Sequence, residues 1–181
     1  HLVVVDRWGN AVSLTQSINW FFGAGVTAPG TGLLLNNQME DFDRLPDSLN
    51  SIAGGRMPRS NMAPSMILRD GEPWLVVGTP GGSRIPAALA QIVTDVIVYR
   101  MDISTAIDRP RFFSGRDIIV MENRFPEPTV KGLRKMGYRI NLNAGPYHKY
   151  FGGAHGIFID RGSGLLYGAA DKRRGGAARG F

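Results

Sequence analysis

The sequence predicts an α+β domain built in layers, on two observations. Short apolar runs with two-residue alternation come in pairs joined by turns, and runs with helical periodicity fall between those pairs. That arrangement favours α+β over a doubly wound parallel sheet. The 181 residues are the length of one ordinary domain, taken as residues 1–181.

The elements follow in order. HLVVVD (1–6) is a strand, and Arg7, Trp8, Gly9 and Asn10 supply a turn. AVSLTQSI (11–18) alternates Val12, Leu14, Gln16 and Ile18 against Ser13, Thr15 and Ser17, which predicts a second strand paired with the first. Its hydroxyl-rich face is unusual for one packed on a core. Residues 19–32 form a glycine-rich connection. LLLNNQMEDF (33–42) then runs from leucines straight into amides and carboxylates, with no glycine or proline to end the apolar run. A second long connection covers 43–60, and SMIL and PWLVVGTP are strands around an Arg69-Asp70-Gly71-Glu72 turn.

RIPAALAQIVTDVIVYRM (84–101) is the clearest helix, with Ile85, Leu89, Ile92, Val93, Val96 and Ile97 at helical spacing. Ser83 is its expected N-cap, and Pro86 falls in the first turn, where a missing N–H is harmless. STAIDRPRF predicts a short helix stopped by Pro110. PEPTVKGLRKMG (126–137) predicts an exposed helix ending at Gly137. RINLN, HGIFID and LLYGAAD are closing strands.

Composition narrows the function classes. The chain is 43% hydrophobic and 20% charged, a globular balance. No apolar run approaches the roughly 20 residues of a membrane-spanning helix. The first residue is His1 rather than Met, so either an expressed fragment or a piece released from a longer precursor is expected. There is no cysteine, which removes disulfide and thiolate chemistry. The three histidines, His1, His148 and His155, lack metal-ligand spacing, so no metal site is expected. His155, among glycines and strand formers, is expected to be a packed histidine with a satisfied ring. The net charge is +6, but the basic residues are dispersed apart from KRRGGAAR near the C-terminus. An acidic partner surface or plain solubility accounts for that as well as nucleic acid does.

Several clusters could carry chemistry. GTPGGSR (78–84) runs from a strand into the long helix, so Gly81 and Gly82 could leave backbone N–H groups open to an anion or a developing oxyanion. On the glycines alone, a tight strand-to-helix turn is the favoured reading. The lysine and hydroxyl of a phosphate-binding P-loop are absent. Ser17 and Asn19, two apart, would share a face of an extended chain. They could bind a polar group or merely line a polar edge. Ser60 and Asn61, between two prolines in PRSNMAP, could hold a carboxylate or a turn. No serine sits in GxSxG. The residues therefore leave two readings: a binding module, or an enzyme whose nucleophile lies elsewhere.

HLVVVDRWGNAVSLT, SIN, FGAG, GLLLNNQMEDF, RMPRSNMAPSMIL, DGEPWLVVGTPGGSR, DRPRF and YGAADKRRGGAARGF follow one another in a single order. Together they resemble the small subunit of the gamma-glutamyltranspeptidases, a family of N-terminal-nucleophile hydrolases. The resemblance implies part of a four-layer αββα sandwich completed by a large subunit from the same self-cleaved precursor. It implies no cofactor. The nucleophile would be a threonine two positions before His1, with its own α-amine as base. The donor would be a glutathione-like γ-glutamyl amide, and the acceptor water or an amine.

By position, Ser17 corresponds to the hydroxyl residue that supports the nucleophile, and Gly81 and Gly82 to the oxyanion pair. Asn19, Gln38 and Asp41 correspond to the residues around the glutamyl α-amino and α-carboxylate groups. Ser60 corresponds to one of two adjacent serines holding the carboxylate, and Asn61 stands where the second serine is usual. Asn36 and Asn37 are expected to bond backbone, with Glu40 facing water. The alternatives are a glutaryl or cephalosporin acylase of the same superfamily, and a catalytically silent binding relative. Export to the periplasm or the cell exterior is the compartment the resemblance suggests.

Overall fold

The structure, a computed structural model, describes residues 1–115, 117–143 and 145–181, and of Asn143 the backbone alone. In chain order the elements are β1 (Leu2–Val5), β2 (Ala11–Leu14), β3 (Ser65–Arg69), β4 (Glu72–Gly78), α1 (Ile85–Ile97), α2 (Ile103–Asp108), β5 (Phe112–Gly115), β6 (Ile118–Glu122), α3 (Glu127–Lys135), β7 (Arg139–Asn143), β8 (His155–Asp160) and β9 (Leu165–Ala170). The α+β class read from the sequence is the class observed. Two units separate by their internal contacts: His1–Thr15 with Met62–Phe181, and Gln16–Asn61.

In the first unit, β1 and β2 form an antiparallel hairpin with Leu2 opposite Leu14 and Val5 opposite Ala11. Asp6 makes its turn: Oδ1 accepts the N–H groups of Trp8 and Asn10, each at 2.9 Å. A second, antiparallel sheet runs β3-β4-β8-β9. Side chains alternate across β4. Leu75 and Val77 join Ile85, Leu89, Ile92 and Val96 of α1 and Ile103, Ala106 and Ile107 of α2 in one buried core. Each buried Leu, Ile or Val among them contributes about 1.5–3 kcal/mol.

The other side of β4 receives the hairpin. The His1 ring lies against Gly78, and Ser13 Oγ donates to the Val77 carbonyl at 3.3 Å. The hydroxyl-rich face of β2 is therefore the inner one. The outer face carries Leu2, Val4, Val12 and Leu14, each 46–52% exposed. The layers are thus hairpin, sheet, helices.

A third sheet places β6 antiparallel to β5 and parallel to β7, with α3 as the crossover between β6 and β7. FFSG and IIVME were not foreseen as strands; neither alternates apolar with polar residues. The parallel pair also departs from the expected pairing of strands through turns. At α1 the N-cap is Arg84, without a side-chain cap, so Ser83 does not cap it. The physical cause is upstream: Gly81 and Gly82 turn the chain with φ of 153° and 59°, and a 3₁₀ turn over Gly82–Arg84 already encloses Ser83. Among the described residues no helix is long and apolar enough to cross a membrane.

The second unit has little regular structure. Its bridges are Thr27 with Leu34 and Asp43 with Ser51, and Gln38–Asp41 form a 3₁₀ turn. At Gly23 the backbone packs so closely that an added Cβ would lie 2.0 Å from the Leu35 carbonyl oxygen.

Candidate active site

The polar block after Leu35 folds because its asparagines bond the backbone in place of a ladder. Asn36 Oδ1 accepts the Gln38 N–H at 2.9 Å, and Asn37 Oδ1 accepts the Trp20 N–H at 3.0 Å. Asn37 Nδ2 also donates to Glu40 Oε2 at 2.8 Å, with Glu40 exposed. The 3₁₀ turn then sets Gln38 and Asp41 three apart, and the Gln38 amide donates to Asp41 Oδ2. Both side chains are half-buried. A carboxylate offers about four acceptor positions, so this bond orients Asp41 without saturating it.

Asn50, which the sequence did not single out, anchors this turn. Its Nδ2 donates to the Asp41 carbonyl at 2.7 Å, and its Oδ1 accepts the Arg59 N–H at 2.9 Å. The turn carrying Asp41 and the segment entering Ser60 and Asn61 thus share one amide. Asp43 supports it: the Ser48 hydroxyl, at 2.5 Å, holds the Asp43 carboxyl below the usual carboxylate range. Ser60 and Asn61 are exposed.

β2 ends at Leu14, so Ser17 and Asn19 are not on an extended run. The expected alternation fails there, and a turn brings the pair together instead. Asn19 takes φ 74° and its N–H donates to Ser17 Oγ at 2.9 Å. Asparagine tolerates this region better than most residues. Asn19 Nδ2 reaches the Asn37 carbonyl at 3.5 Å, which links the Ser17 turn to the Gln38 turn.

In the first unit, Gly81 is buried and Gly82 exposed at the sheet-to-helix turn. Neither N–H donates to an acceptor among the described residues. Two adjacent unpaired amides between a strand and a helix are donors of the kind that can meet negative charge on an oxygen. The loop packs on a second glycine pair, Gly152 and Gly153: an added Cβ on Gly81 would lie 3.5 Å from Gly152 Cα. The FGGAHG run of small residues was the available signal for such close backbone approach.

His1 Nδ1 lies 2.8 Å from Thr15 Oγ1, and the His1 and His155 ring centroids are 6.4 Å apart. His1 Nε2 and His155 Nδ1 are buried without a hydrogen-bond partner among the described residues. The expected satisfied ring at His155 is therefore not found at Nδ1. Burial holds this imidazole below its ordinary value. Among the described residues no group of three or more His, Cys, Asp or Glu is arranged to hold a metal ion.

The C-terminal basic run, the one cluster among otherwise dispersed basic residues, is partly interior. The Arg173 side chain is wholly buried and makes a two-pronged contact with Glu122: Nε to Oε1 and Nη2 to Oε2, both at 2.7 Å. Nη1 reaches Asp171 Oδ1 at 3.0 Å. Arg111 pairs with the same carboxylate at 2.8 Å and donates to the Phe151 carbonyl at 2.9 Å. Burial lowers Arg111 to about 10, against the raising effect of Asp171. Burial would raise Glu122, but its bonds and charge attraction with Arg173 outweigh it and hold the carboxyl below the usual range.

The gamma-glutamyltranspeptidase family profile matches residues 1–181. The glutathione hydrolase proenzyme of Bacillus subtilis (strain 168) is 35% identical over 182 residues, covering 100% of this chain and 30% of that protein. The acylase ACY 1 proenzyme of Pseudomonas sp. (strain SE83) is 37% identical over 140 residues, covering 77% of this chain and 25% of that protein. A solved mutant of Helicobacter pylori gamma-glutamyltranspeptidase is similar with a TM-score of 0.85 and 36% identity, over 96% of this chain and 98% of that one. The chain spans only 25–30% of these two curated relatives. The profile covers every residue, and the layered fold agrees with that of a solved member: the chain belongs to the gamma-glutamyltranspeptidase family.

Proposed function

We propose that this chain, with a larger chain from the same precursor, forms an enzyme that cleaves the γ-glutamyl amide of glutathione-like donors. The acyl group passes through an ester on a threonine just ahead of His1 and then to water or an amine. The observation that carries the reading is the Gln38–Asp41 turn: a half-buried carboxylate, oriented by an amide, suited to a substrate ammonium. Gln38 and Asn19 add amides at the glutamyl backbone groups, and Ser60 and Asn61 supply donors for the α-carboxylate. Ser17 supports the nucleophile. An α-amine, with an ordinary pKa of about 7.7–8.0, is available as base near neutral pH. The free N–H groups of Gly81 and Gly82 receive the oxyanion.

Two observations support the larger partner. The relatives are named proenzymes, and this chain matches 30% of the Bacillus subtilis one. The hairpin's apolar outer face needs a cover of the kind a further helical layer provides. The acylase relative favours a second reading, glutaryl amide cleavage. A glutaryl group has no α-ammonium, so it gives Asp41 nothing to bind.

The test is turnover of a γ-glutamyl anilide beside a glutaryl anilide by the processed two-chain protein. Preference for the γ-glutamyl compound is expected, and preference for the glutaryl compound overturns the reading. N-terminal sequencing of the processed chain should find threonine ahead of His1. Neither threonine nor serine there would make the protein a silent binding relative.

A further inference from the structure

The structure assigns Thr79 a positioning role: its buried hydroxyl locks the Pro80–Gly81 peptide plane and so aims the Gly81 N–H. This rests on the proposed role of Gly81 as an oxyanion donor. In a trans peptide the carbonyl and the following N–H point in opposite directions, so fixing one end fixes the other. Thr79 Oγ1 donates to the Pro80 carbonyl at 2.8 Å. The plane needs a lock because Gly81, at φ 153°, has no Cβ to resist rotation of the preceding peptide.

The hydroxyl is itself committed. Thr79 is 1% exposed, so water does not compete for it. Its oxygen accepts the Gly153 N–H at 3.1 Å, which leaves its one hydrogen for Pro80. Gly152, itself buried, completes the clamp. It takes φ 89°, and a Cβ there would lie 2.5 Å from both the Pro80 carbonyl oxygen and Thr79 Oγ1. The Gly152–Gly153 strap is pinned on both sides by the buried ions. Arg111 Nη1 donates to the Phe151 carbonyl at 2.9 Å, and Asp171 Oδ2 accepts the Ala154 N–H at 3.0 Å. Thr79 thus connects the ion cluster to the oxyanion loop through one hydroxyl.

The experiment compares Thr79→Val, which keeps the shape and removes the donor, with Thr79→Ser, which keeps the donor, in the processed two-chain protein. Removing an oxyanion donor costs about 10²–10³ in kcat. Partial misorientation by Thr79→Val should cost about 10–100-fold in kcat, with KM nearly unchanged, and Thr79→Ser should recover most of the loss. Equal losses in the two variants, or a loss confined to KM, overturn the role. If Thr79→Val does not fold, Thr79→Cys, a weaker donor, should fall between wild type and full loss in kcat; wild-type kcat in Thr79→Cys overturns the role. A crystal structure of whichever of these two variants folds is read independently of activity. A rotated Pro80–Gly81 peptide is expected, and an unrotated one refutes the lock. A wild-type protein without γ-glutamyl turnover would sink the proposed function while leaving the peptide-plane result to decide the lock.

Discussion

Replacing Arg173 with Met separates an interior ion cluster from a surface charge run. The wild-type guanidinium donates to Glu122, Asp171 and the carbonyls of Ile107 and Arg109. Removing one partner of a buried ion pair costs about 3–5 kcal/mol, because the remaining charge stays buried. Two facts adjust that figure. Arg124 still reaches Glu122 at 2.9 Å and Arg111 still reaches Asp171 at 2.8 Å, which lowers the cost. The Arg109 carbonyl loses its 2.7 Å donor, which restores roughly 1 kcal/mol. The net expectation is about 4 kcal/mol, a large share of an ordinary domain's 5–15 kcal/mol. The neighbouring Lys172 pairs with Asp108 at 3.1 Å from an exposed position, so Lys172→Met should change stability little. Urea denaturation of the processed two-chain protein measures both. A loss below about 1 kcal/mol for Arg173→Met, or equal losses at the two positions, would refute the reasoning.

Three further outcomes are expected. Asp41→Ala should retain the fold and lose about 10–100-fold in kcat/KM for a γ-glutamyl anilide, the worth of a hydrogen bond to a charged group; steady-state kinetics with circular dichroism checks it. Ser17→Ala, which removes the acceptor of the Asn19 N–H, should slow both acylation and self-cleavage, read by burst kinetics and by the ratio of precursor to processed chains. Glu122 has a depressed folded pKa, so its stabilisation is present above the ordinary value of about 4.3 and is lost as pH falls through the lower folded value. Urea midpoints from about pH 6 to about pH 3 should therefore fall more steeply for wild type than for Glu122→Gln.

Much of the fold was legible because its signals are local. The α1 periodicity, the Arg7–Asn10 turn and the alternation in β2 each report neighbours close in sequence. What was not legible depends on distant partners. Ser13 and Thr15 look like a solvent face until β4 and His1 arrive to bond them. Arg173 looks like surface until Glu122, 51 positions away, is folded against it. FFSG and IIVME of β5 and β6 lack the two-residue alternation that marks β2. In the site, the residue types at Gln38 and Asp41 were visible, as was the glycine pair. Asn50 and Thr79 were not, since each acts through backbone groups that no spacing rule links to it.

The four outward side chains of the hairpin, Leu2, Val4, Val12 and Leu14, also dictate an order of events. In the proposed precursor their cover is tethered, so burial is a first-order step that does not depend on protein concentration. Once the chain is cut, the same burial becomes second-order and competes with self-association of exposed apolar strands. For the proposed precursor, folding before cleavage is the expected order, and a separated, unfolded pair should regain its structure at a rate that depends on protein concentration.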